Sequence, residues 1–402
     1  MAQNYSRPFE WYRKTKVLFN SLLTGLIQRC NAVLVKENPQ PSSLILKMAR
    51  FIGTVALLLV DIPRMEAYQF LIGSNRVIFV GEEYRAKILQ RSFVNHVESE
   101  PQPLGRVSTL QLPEMARQWF LEDAMMVVSE ISPLYPRKFR LPYVVKSPIL
   151  VRQELVLPEK LEDFLNQPHL RRIRRQLNRA QRAGFTYRFS RERQDFDFYY
   201  YHMYLPYIQR RFGEAAFLGT AEDQWEECSR GGLILVNQDG KTVAGMLVAL
   251  RGETCAYLDA GVLNADEELL EQGVFSFNLW SLIQWGHQHG ARRVDLGGSI
   301  PWCSDGVFQY KNNWGAGIHP FRFIHKNLTY CLQDPPNDFL QLLNEKGILL
   351  EHSNQYVRAF FSQQPISRGE IAEDALLGKA GESGLAGVVV LSPYQTSYLS
   401  KR

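Results

Sequence analysis

The sequence predicts a mixed α/β protein with more than one domain. The chain has 402 residues, and a single domain typically has ~100–200. Apolar residues make up 45% and charged residues 22%, which is close to the average for globular proteins and excludes disordered, collagen-like and disulfide-dense classes. Short β-branched or aromatic runs alternate with segments of helical spacing, and glycines separate them.

Net charge and cysteine usage limit the partners and the compartment. Lys and Arg number 46 and Asp and Glu 41, so the net charge of +5 predicts neither a nucleic-acid nor a membrane partner, and any such site has to be local. Five cysteines without C-x-x-C spacing indicate neither a disulfide framework nor a zinc site, and no histidine pair has metal-ligand spacing. We therefore expect a cytoplasmic protein without a metal.

No apolar stretch reaches the ~18 residues that a spanning helix needs. The segment Trp11–Cys30 has basic residues ahead of a leucine-rich patch, but polar residues interrupt that patch and no small-residue cleavage site follows. An amphipathic helix packed on the rest of the protein explains it most simply. A helix lying on a membrane surface, with peripheral membrane association of the protein, is the alternative.

The first 150 residues give the weaker signals. Residues 1–65 have helical spacing and form an N-terminal helical extension. Ala67–Ile72 and Asn75–Gly81 are typical of a hairpin. Three prolines in residues 97–114 indicate a loop, and the spacing of apolar residues over Leu110–Ile131 predicts a helix.

From residue 150 the elements are easier to assign. The spacing predicts helices over Pro158–Asn166, Leu170–Ala183, Phe196–Phe212, Gly273–His289 and Asp305–Asn313. Strands are expected at Tyr187–Phe189, Gly232–Asn237, Lys241–Arg251, Thr254–Val262, Arg292–Leu296, Phe321–His325 and Thr329–Leu332. Three consecutive antiparallel strands, then a helix and a short strand ending in glycines, form a compact crossover unit.

The segment Val294–Gly317 carries the clearest chemical signal. Gly297-Gly298 ends a strand and allows the backbone to turn sharply and approach a ligand. Lys311 stands between Tyr310 and Trp314, where a cation against apolar walls could stabilise negative charge on a carbonyl oxygen during acyl transfer. The alternative is that the two aromatics form a buried helix face and the lysine points to water.

This segment, DLGGS followed by DGVFQYKNNWG, resembles the GNAT-like domain of the FemABX-type transferases and related bacterial acyltransferases. The resemblance implies an α/β (α+β) protein of tandem GNAT-like domains, with mixed, mostly antiparallel sheets flanked by helices. The acyltransferase domain would span residues 150–335, with a degenerate copy at 66–149. Residues 336–402 would hold a helix, a linker and a strand, Gly387–Leu391, that returns to the first domain. Lys311 would contact the reacting acyl group or the acceptor.

The donor is left open by one departure from the superfamily pattern. Acetyl-CoA-dependent members carry a glycine-rich loop that grips the pyrophosphate at a helix N-terminus. The matching segment here, Glu271–Ser276, has a single glycine. We therefore expect no tightly bound cofactor, with acyl-CoA, acyl carrier protein or aminoacyl-tRNA as the co-substrate. A conventional acetyl-CoA enzyme with an unusual phosphate loop remains an alternative.

An arginine-rich segment is the strongest local charge signal. Six arginines and no acid occur in residues 171–182. On a helix, Arg171, Arg175, Arg179 and Arg182 line one face, which suits the phosphates of a tRNA, a nucleotide-linked precursor or a lipid headgroup. A solvated face balanced by acids on neighbouring elements is the alternative.

Other polar residues complete the predicted site. Tyr257 and Asp259 alternate onto one strand face, where either could orient an amine and the carboxylate could accept its proton. Asp305 either caps the helix that follows or contacts substrate. The residues expected to bind substrate are Tyr310, Trp314, Gly297, Gly298, Ser299 and Asp305.

These observations predict an N-acyltransferase. An acceptor amine, on a small molecule or a cell-envelope precursor, would attack the activated acyl or aminoacyl group directly, because no nucleophile–base pair is visible in the sequence. The alternative function is a non-catalytic protein that binds RNA or anionic lipid through the arginine segment on a degenerate acyltransferase fold.

Overall fold

The computed structural model describes residues 65–93, 100–131, 139, 141–213, 218–321, 327–352, 355–363, 377, 385–393 and 396–400. The predicted helical extension over residues 1–65 lies outside these residues except for its last position. All described residues belong to one compact unit, Asp61–Arg402.

Strands and helices alternate along the described chain. The strands are β1 Met65–Ile72, β2 Asn75–Val80, β3 Gln102–Val107, β4 Ala124–Ile131, β5 Tyr143–Pro148, β6 Val151–Val156, β7 Thr186–Ser190, β8 Gly232–Gln238, β9 Lys241–Arg251, β10 Thr254–Val262, β11 Arg293–Ser299, β12 Gly317–Pro320, β13 Asn327–Leu332, β14 Leu349–His352, β15 Gln355–Phe361, β16 Gly387–Leu391 and β17 Thr396–Ser400. The α-helices are α1 Glu83–Phe93, α2 Leu112–Leu121, α3 Leu161–Leu165, α4 Arg171–Arg182, α5 Arg193–Tyr199, α6 Leu205–Phe212, α7 Ala221–Arg230, α8 Glu267–Glu271, α9 Val274–Gln288, α10 Gly306–Asn313 and α11 Asn337–Lys346. A π-helical segment, Tyr200–Tyr204, joins α5 to α6.

The strands form three sheets. Sheet 1 has the order β3-β1-β2-β4-β13-β5, sheet 2 the order β12-β6-β11-β10-β9-β8-β7, and sheet 3 the order β14-β15-β16-β17. Sheet 1 is antiparallel except at the pair β2 and β4, and sheet 2 is antiparallel except at β10 and β11. The predicted fold class, mixed and mostly antiparallel sheets flanked by helices, is confirmed.

One strand of sheet 1 comes from the second half of the chain. The chain passes from sheet 1 to sheet 2 between β5 and β6, because β6 pairs with β11 and β12. β13 follows β12 of sheet 2 but pairs with β4 and β5 in sheet 1. This pairing differs from the expected boundary at residue 335, which assigns β13 to the second half.

Sheet 3 packs against sheet 1 through a shared core. Phe79 and Tyr330 of sheet 1 belong to the same buried cluster as Phe361 and Val389 of sheet 3. The segment expected to return to the first domain is therefore a strand, β16, that contributes to this core. It pairs with β15 and β17, however, and not with the strands of sheet 1.

Sheet 2 is covered on both faces. α9 packs on one face through Leu279, Leu282 and Ile283. The α5–α6 segment and α7 pack on the other face. The predicted helix Phe196–Phe212 is thus interrupted by a π-helical turn, because Pro206 has no N–H to donate to the carbonyl four residues earlier.

The largest differences from the sequence predictions fall between residues 97 and 156. The predicted loop at 97–114 contains β3, and the helix predicted over Leu110–Ile131 ends at Leu121 and is followed by β4. β4 is buried along almost its whole length, and such a continuous apolar run cannot be distinguished from a helix by periodicity. β5 and β6 were not predicted. Residues 322–326 of the strand expected at Phe321–His325 lie outside the described residues.

Candidate active site

A cleft of about 810 Å³, here called the central cleft, lies between the two halves of the compact unit. α1 and α11 line it from the side of sheet 1. Tyr204, α6, β10, the end of β11 and the start of α10 line it from the side of sheet 2. Of the residues predicted for the site, Asp259, Gly298 and Asp305 line this cleft.

The cleft opens where the parallel strands β10 and β11 separate. The two strands pair only from Thr254 to Ala256 of β10, although β10 continues to Val262. Each strand has a register shift at this point, β10 after Tyr257 and β11 after Asp295. A β-bulge bends its strand, so the two bulges direct the strand ends apart.

The two glycines at the end of β11 have different tasks. Gly297 has φ of 73°, a conformation that side chains disfavour, and its N–H donates to Asp295 Oδ1 at 2.9 Å. Gly298 lines the cleft, and its carbonyl accepts a hydrogen bond of 2.7 Å from Lys311 Nζ. Ser299 is buried and its hydroxyl donates to Gln153 on β6, so its side chain is used within the sheet.

Lys311 lies behind the cleft lining. Lys311 is 5% exposed, and this burial lowers the pKa of its side chain to about 8. The nearby carboxylates Asp305 and Asp295 raise the pKa, but by less than burial lowers it. Lys311 does not line the cleft itself, but its ammonium donates to the carbonyl of Gly298, which does. Lys311 therefore does not point to water, as the alternative expected.

The aromatics that flank Lys311 in the sequence pack into the core of sheet 2. Trp314 is fully buried, and Tyr310 packs edge-on against Phe275 and donates to the Phe275 carbonyl at 3.3 Å. Both rings attach α10 to the core of sheet 2. Neither lines the central cleft, although Tyr310 lines a smaller cavity beside α4.

Asp259 lies at the strand separation, and burial raises the pKa of its carboxyl to about 7. Gln224 Nε2 donates to Asp259 Oδ2 at 3.4 Å. The π-helical turn brings Tyr204 alongside, because Gly261 allows β10 to touch this turn: a Cβ there would lie 2.4 Å from the Tyr204 nitrogen. A carboxyl with a pKa near neutrality in a cleft is typical of general bases.

Tyr257 and Asp259 do not share a strand face. The bulge sets Tyr257 opposite Val248 and Asp259 opposite Leu247, and these two β9 residues belong to cores on different faces of the sheet. The expectation from strict alternation is therefore wrong at this point. Burial raises the pKa of Tyr257, so its hydroxyl keeps its proton.

Asp305 caps α10 and also borders the cleft. Its Oδ1 accepts a hydrogen bond of 2.7 Å from the Phe308 N–H, and burial raises the pKa of this carboxyl. The predicted cap is therefore present, and a contact of Asp305 with substrate stays a prediction.

Three cations of the cleft were missed by the sequence reasoning. Arg91 comes from α1, Arg211 from the end of α6 and Lys346 from the end of α11. Arg211 also donates to the Tyr207 hydroxyl at 2.6 Å. These residues belong to three helices far apart in the sequence, and no motif marks them.

The arginine segment forms α4, as predicted, and its half-buried Gln176 lies beside the first turn of α9. Gln176 accepts a hydrogen bond of 2.8 Å from Ser276 Oγ, and Arg179 Nη1 donates to the Glu271 carbonyl at 2.6 Å. A Cβ on Gly273, the N-cap of α9, would lie 2.9 Å from the Gln176 carbonyl oxygen. α4 therefore covers the turn where the superfamily's pyrophosphate loop is expected.

Among the described residues no cluster of three or more His, Cys, Asp or Glu side chains could hold a metal ion. Within the same part of the chain, no helix is long and apolar enough to cross a membrane. Cys303, close to the cleft, is buried and is not part of a disulfide.

A family model described as an acetyltransferase (GNAT) domain matches residues 168–312. No curated protein matches the chain. Among solved structures, the chain is similar to FemX at 15% identity and a TM-score of 0.34, over 67% of this chain and 83% of that one. It is similar to L-PGS from Bacillus licheniformis at 13% identity and a TM-score of 0.33, over 76% and 96% of the two chains. A tandem GNAT protein from the clavulanic acid biosynthesis pathway matches at 11% identity and a TM-score of 0.27, over 66% and 78%.

The matched segment begins just before α4 and ends in α10, so it includes β10, β11, Asp259 and Lys311. The predicted resemblance to GNAT-type acyltransferases is confirmed over this segment. Residues 168–312 of this chain are an acetyltransferase (GNAT) domain.

Proposed function

We propose that this chain is an N-acyltransferase that moves an acyl or aminoacyl group from an activated donor to an amine. One observation carries the proposal: a carboxyl whose pKa is about 7, Asp259, lines a cleft at the separation of β10 and β11 within the acetyltransferase domain. A base is most effective when its pKa is near the working pH. The acceptor would be an amine of a small molecule or of a cell-envelope precursor.

In this mechanism the ammonium group of the acceptor gives a proton to Asp259, and the neutral amine attacks the acyl carbonyl. The C–N bond forms and the bond from the carbonyl carbon to the leaving sulfur or oxygen breaks. The leaving group takes up a proton, so no covalent intermediate with the protein is needed. Positioning and charge stabilisation supply the rate.

Lys311 acts as a positioning residue in this proposal. It holds the Gly298 carbonyl, and so fixes the peptide that borders the reacting atoms. Tyr257, Tyr310 and Trp314 support β10 and α10 from the core side. Asp305 orients the first turn of α10, whose Gly306 lines the cleft.

The contacts of α4 support a donor that is not gripped through a diphosphate at the start of α9. The helix N-terminus that would supply backbone N–H groups is packed against Gln176. Acyl carrier protein and aminoacyl-tRNA are favoured over acyl-CoA for this reason. In the part of the chain that the structure describes, four buried cysteines form no disulfide, which is consistent with a reducing cytoplasm.

A donor and acceptor screen tests the proposal. Purified protein is incubated with an amine library and with acyl-CoA, acyl carrier protein or aminoacyl-tRNA as donor, and N-acylated products are detected by mass spectrometry. We expect a product with at least one donor, and its loss in Asp259→Asn. Salt-sensitive binding of RNA or anionic vesicles with no transfer from any donor would contradict the proposal and favour the non-catalytic alternative.

A further inference from the structure

We propose that the exposed arginines of α4 dock an acidic carrier protein, which delivers its acyl group on a phosphopantetheine arm through a narrow cavity between α4 and α10. This inference rests on the proposed acyl transfer and specifies its donor. We call the set Arg171, Arg172, Arg175, Arg179 and Arg182 the arginine face.

The arginine face is compact and free of ion pairs. Helical geometry sets its five members within an arc of roughly 100°. All five are exposed, and none forms an ion pair with a described residue. The opposite side of the helix, with Ile173, Leu177 and Ala180, is buried. Like charges this close repel one another, and an anionic partner removes that cost.

Acidic residues on the neighbouring helices limit the positive surface to one helix. α4 contacts the end of α3 through Arg174, which donates to the Leu165 carbonyl, and contacts the end of α8 through Arg179, which donates to the Glu271 carbonyl. Exposed acids stand on both of these helices. They are Glu162 and Asp163 on α3, and Glu268 and Glu271 on α8.

This narrow pattern distinguishes between two kinds of polyanion. A folded RNA needs a broad cationic surface, and its backbone would meet the acids on both sides of α4. A single acidic helix of a small carrier protein matches a strip one helix wide. Charge complementarity therefore favours the carrier protein.

A cavity of about 190 Å³ begins beside the arginine face. Arg172 and Gln176 line it from α4, and Gln309 and Tyr310 line it from α10. Gly306 lines both this cavity and the central cleft, so the two spaces adjoin at the first residue of α10. Apart from its chain neighbours and the backbone of α10, no described atom lies within 4 Å of the position that a Cβ on Gly306 would take.

The size of this cavity fits a slender chain. Pockets that enclose a drug-sized ligand are typically ~300–1,000 Å³, and this one is smaller. An unbranched phosphopantetheine arm can pass where an adenosine with its ribose cannot. The arm's phosphate would lie at Arg172, and its thioester would reach the cleft that Asp259 lines.

The transfer step balances without a further reactant. The acceptor amine attacks the thioester carbonyl, the C–N bond forms, and the C–S bond breaks. The amine proton passes by way of Asp259 to the leaving thiolate, so the products are an amide and the free thiol of the carrier's arm.

A binding experiment tests the docking surface. The probes are a bacterial acyl carrier protein with an octanoyl group on its arm, octanoyl-CoA and mixed tRNA, and affinity is measured by titration calorimetry at two salt concentrations. We expect the carrier protein to bind, and Arg171→Glu/Arg175→Glu to weaken it by ~10-fold or more. The control is Arg230→Glu/Arg292→Glu, which makes the same charge change at exposed arginines paired with Glu226 and Glu253. Circular dichroism verifies that each variant is folded.

Binding of tRNA but not of the carrier protein, through the same arginines, overturns this inference. So does a carrier affinity that falls equally in the control variant, or an absence of carrier binding. None of these results affects the acyltransferase proposal, which is judged by product formation with any donor.

A second variant tests the cavity. Gln309 is exposed, so Gln309→Trp fills the cavity with little effect on folding. We expect it to leave carrier binding within about 2-fold and to reduce transfer from the octanoyl carrier by ~10-fold or more. Asp259→Asn keeps carrier binding but loses transfer. Unchanged transfer in Gln309→Trp overturns the delivery route.

Discussion

Sheets 1 and 2 contain the same parallel junction, but only the one in sheet 2 is open. β2 pairs with β4 up to Val80, the last residue of β2. β10 leaves β11 after Ala256 and continues alone on that side to Val262. The bulges in β10 and β11 produce this separation, and the central cleft occupies it.

In sheet 1 a buried ion pair occupies the end of the junction. Glu130 is 1% exposed, pairs with Arg85 and accepts the Glu82 N–H at 3.0 Å. A Cβ on Gly81 would lie 2.5 Å from Glu130 Oε1, so the carboxylate fills the space beyond β2. The comparison shows that a carboxylate at the end of a parallel strand pair fills a closed space when the strands stay together and lines an open cleft when they separate.

The largest expected effect tests the open junction. Asp259→Asn should lower kcat by ~10²–10⁴, because the base can no longer accept the amine proton. The same variant should be more stable than the native chain above pH 7. The folded-state pKa of about 7 exceeds the ordinary 3.8, so ionising Asp259 costs the folded state an amount that grows from about pH 4 and is complete above pH 7.

Rates from a product assay and melting temperatures at pH 5 and pH 8 test this prediction. The stability gain of Asp259→Asn should be present at pH 8 and much smaller at pH 5. A variant that keeps native turnover would show that the open junction is not the reaction centre.

The next effect concerns the residue behind the cleft wall. Lys311→Ala should reduce turnover by ~10²–10³, because the Gly298 peptide that borders the reacting atoms is no longer held in place, while the protein remains folded. Lys311→Met, which keeps the volume, separates the charge from the packing. In the native enzyme kcat/KM should rise near pH 7 with Asp259 and fall near pH 8 as Lys311 loses its proton. Lys311→Met should lack the alkaline limb, and an unchanged pH profile would contradict the positioning role.

A smaller effect is expected at the closed junction. Glu130→Gln should lower the free energy of unfolding by roughly 1.5–3 kcal/mol, because a buried charge-assisted hydrogen bond is lost, while kcat/KM remains within about twofold. Glu66→Gln, at an exposed pair with Arg106, is the matched control and should change stability little. Urea denaturation measures the free energy of unfolding of both variants. If Glu130→Gln is as stable as Glu66→Gln, Glu130 does not have the structural role inferred here.

The smallest effect refines the base. In the native chain the hydrogen bond from Gln224 favours the ionised form of Asp259. Gln224→Leu removes this hydrogen bond, so the pKa of Asp259 should rise. The acid limb of the kcat/KM profile should then move to higher pH, with the plateau rate reduced ~10-fold or less. A limb that stays in place would mean that Gln224 only packs against β10.

The second half of the fold was largely predictable, because its signals are local. β8, β9 and β10 are bounded by turn residues, and α9 and α10 end at glycine or follow a capping aspartate. The first half was not, because β3 is mostly exposed and β4 is a continuous apolar run. The pairing of β13 with β4 and β5 is a tertiary contact that no local pattern in the sequence records.

The residues of the site were likewise predictable only where their signals are local. Asp259 lies on a predicted strand and Gly298 in the glycine turn predicted to end one, and both line the cleft. The bulge at Leu258 places Asp259 on the sheet face opposite to that of Tyr257. The sequence gives no sign of this bulge, because its pattern predicts a strand whose side chains alternate regularly between the two faces. Arg91, Arg211 and Lys346 meet only through tertiary packing, so the cationic side of the cleft could not be predicted.

The pairing of β13 in sheet 1 has a consequence for how the molecule melts. A fragment that ends at residue 150 would lack this inner strand, so β4 and β5 would each have an unpaired edge, which favours aggregation. Sheet 1 cannot unfold separately without releasing a strand that follows β12 of sheet 2 in the chain, so we expect heating to give one calorimetric transition whose van't Hoff and calorimetric enthalpies are equal.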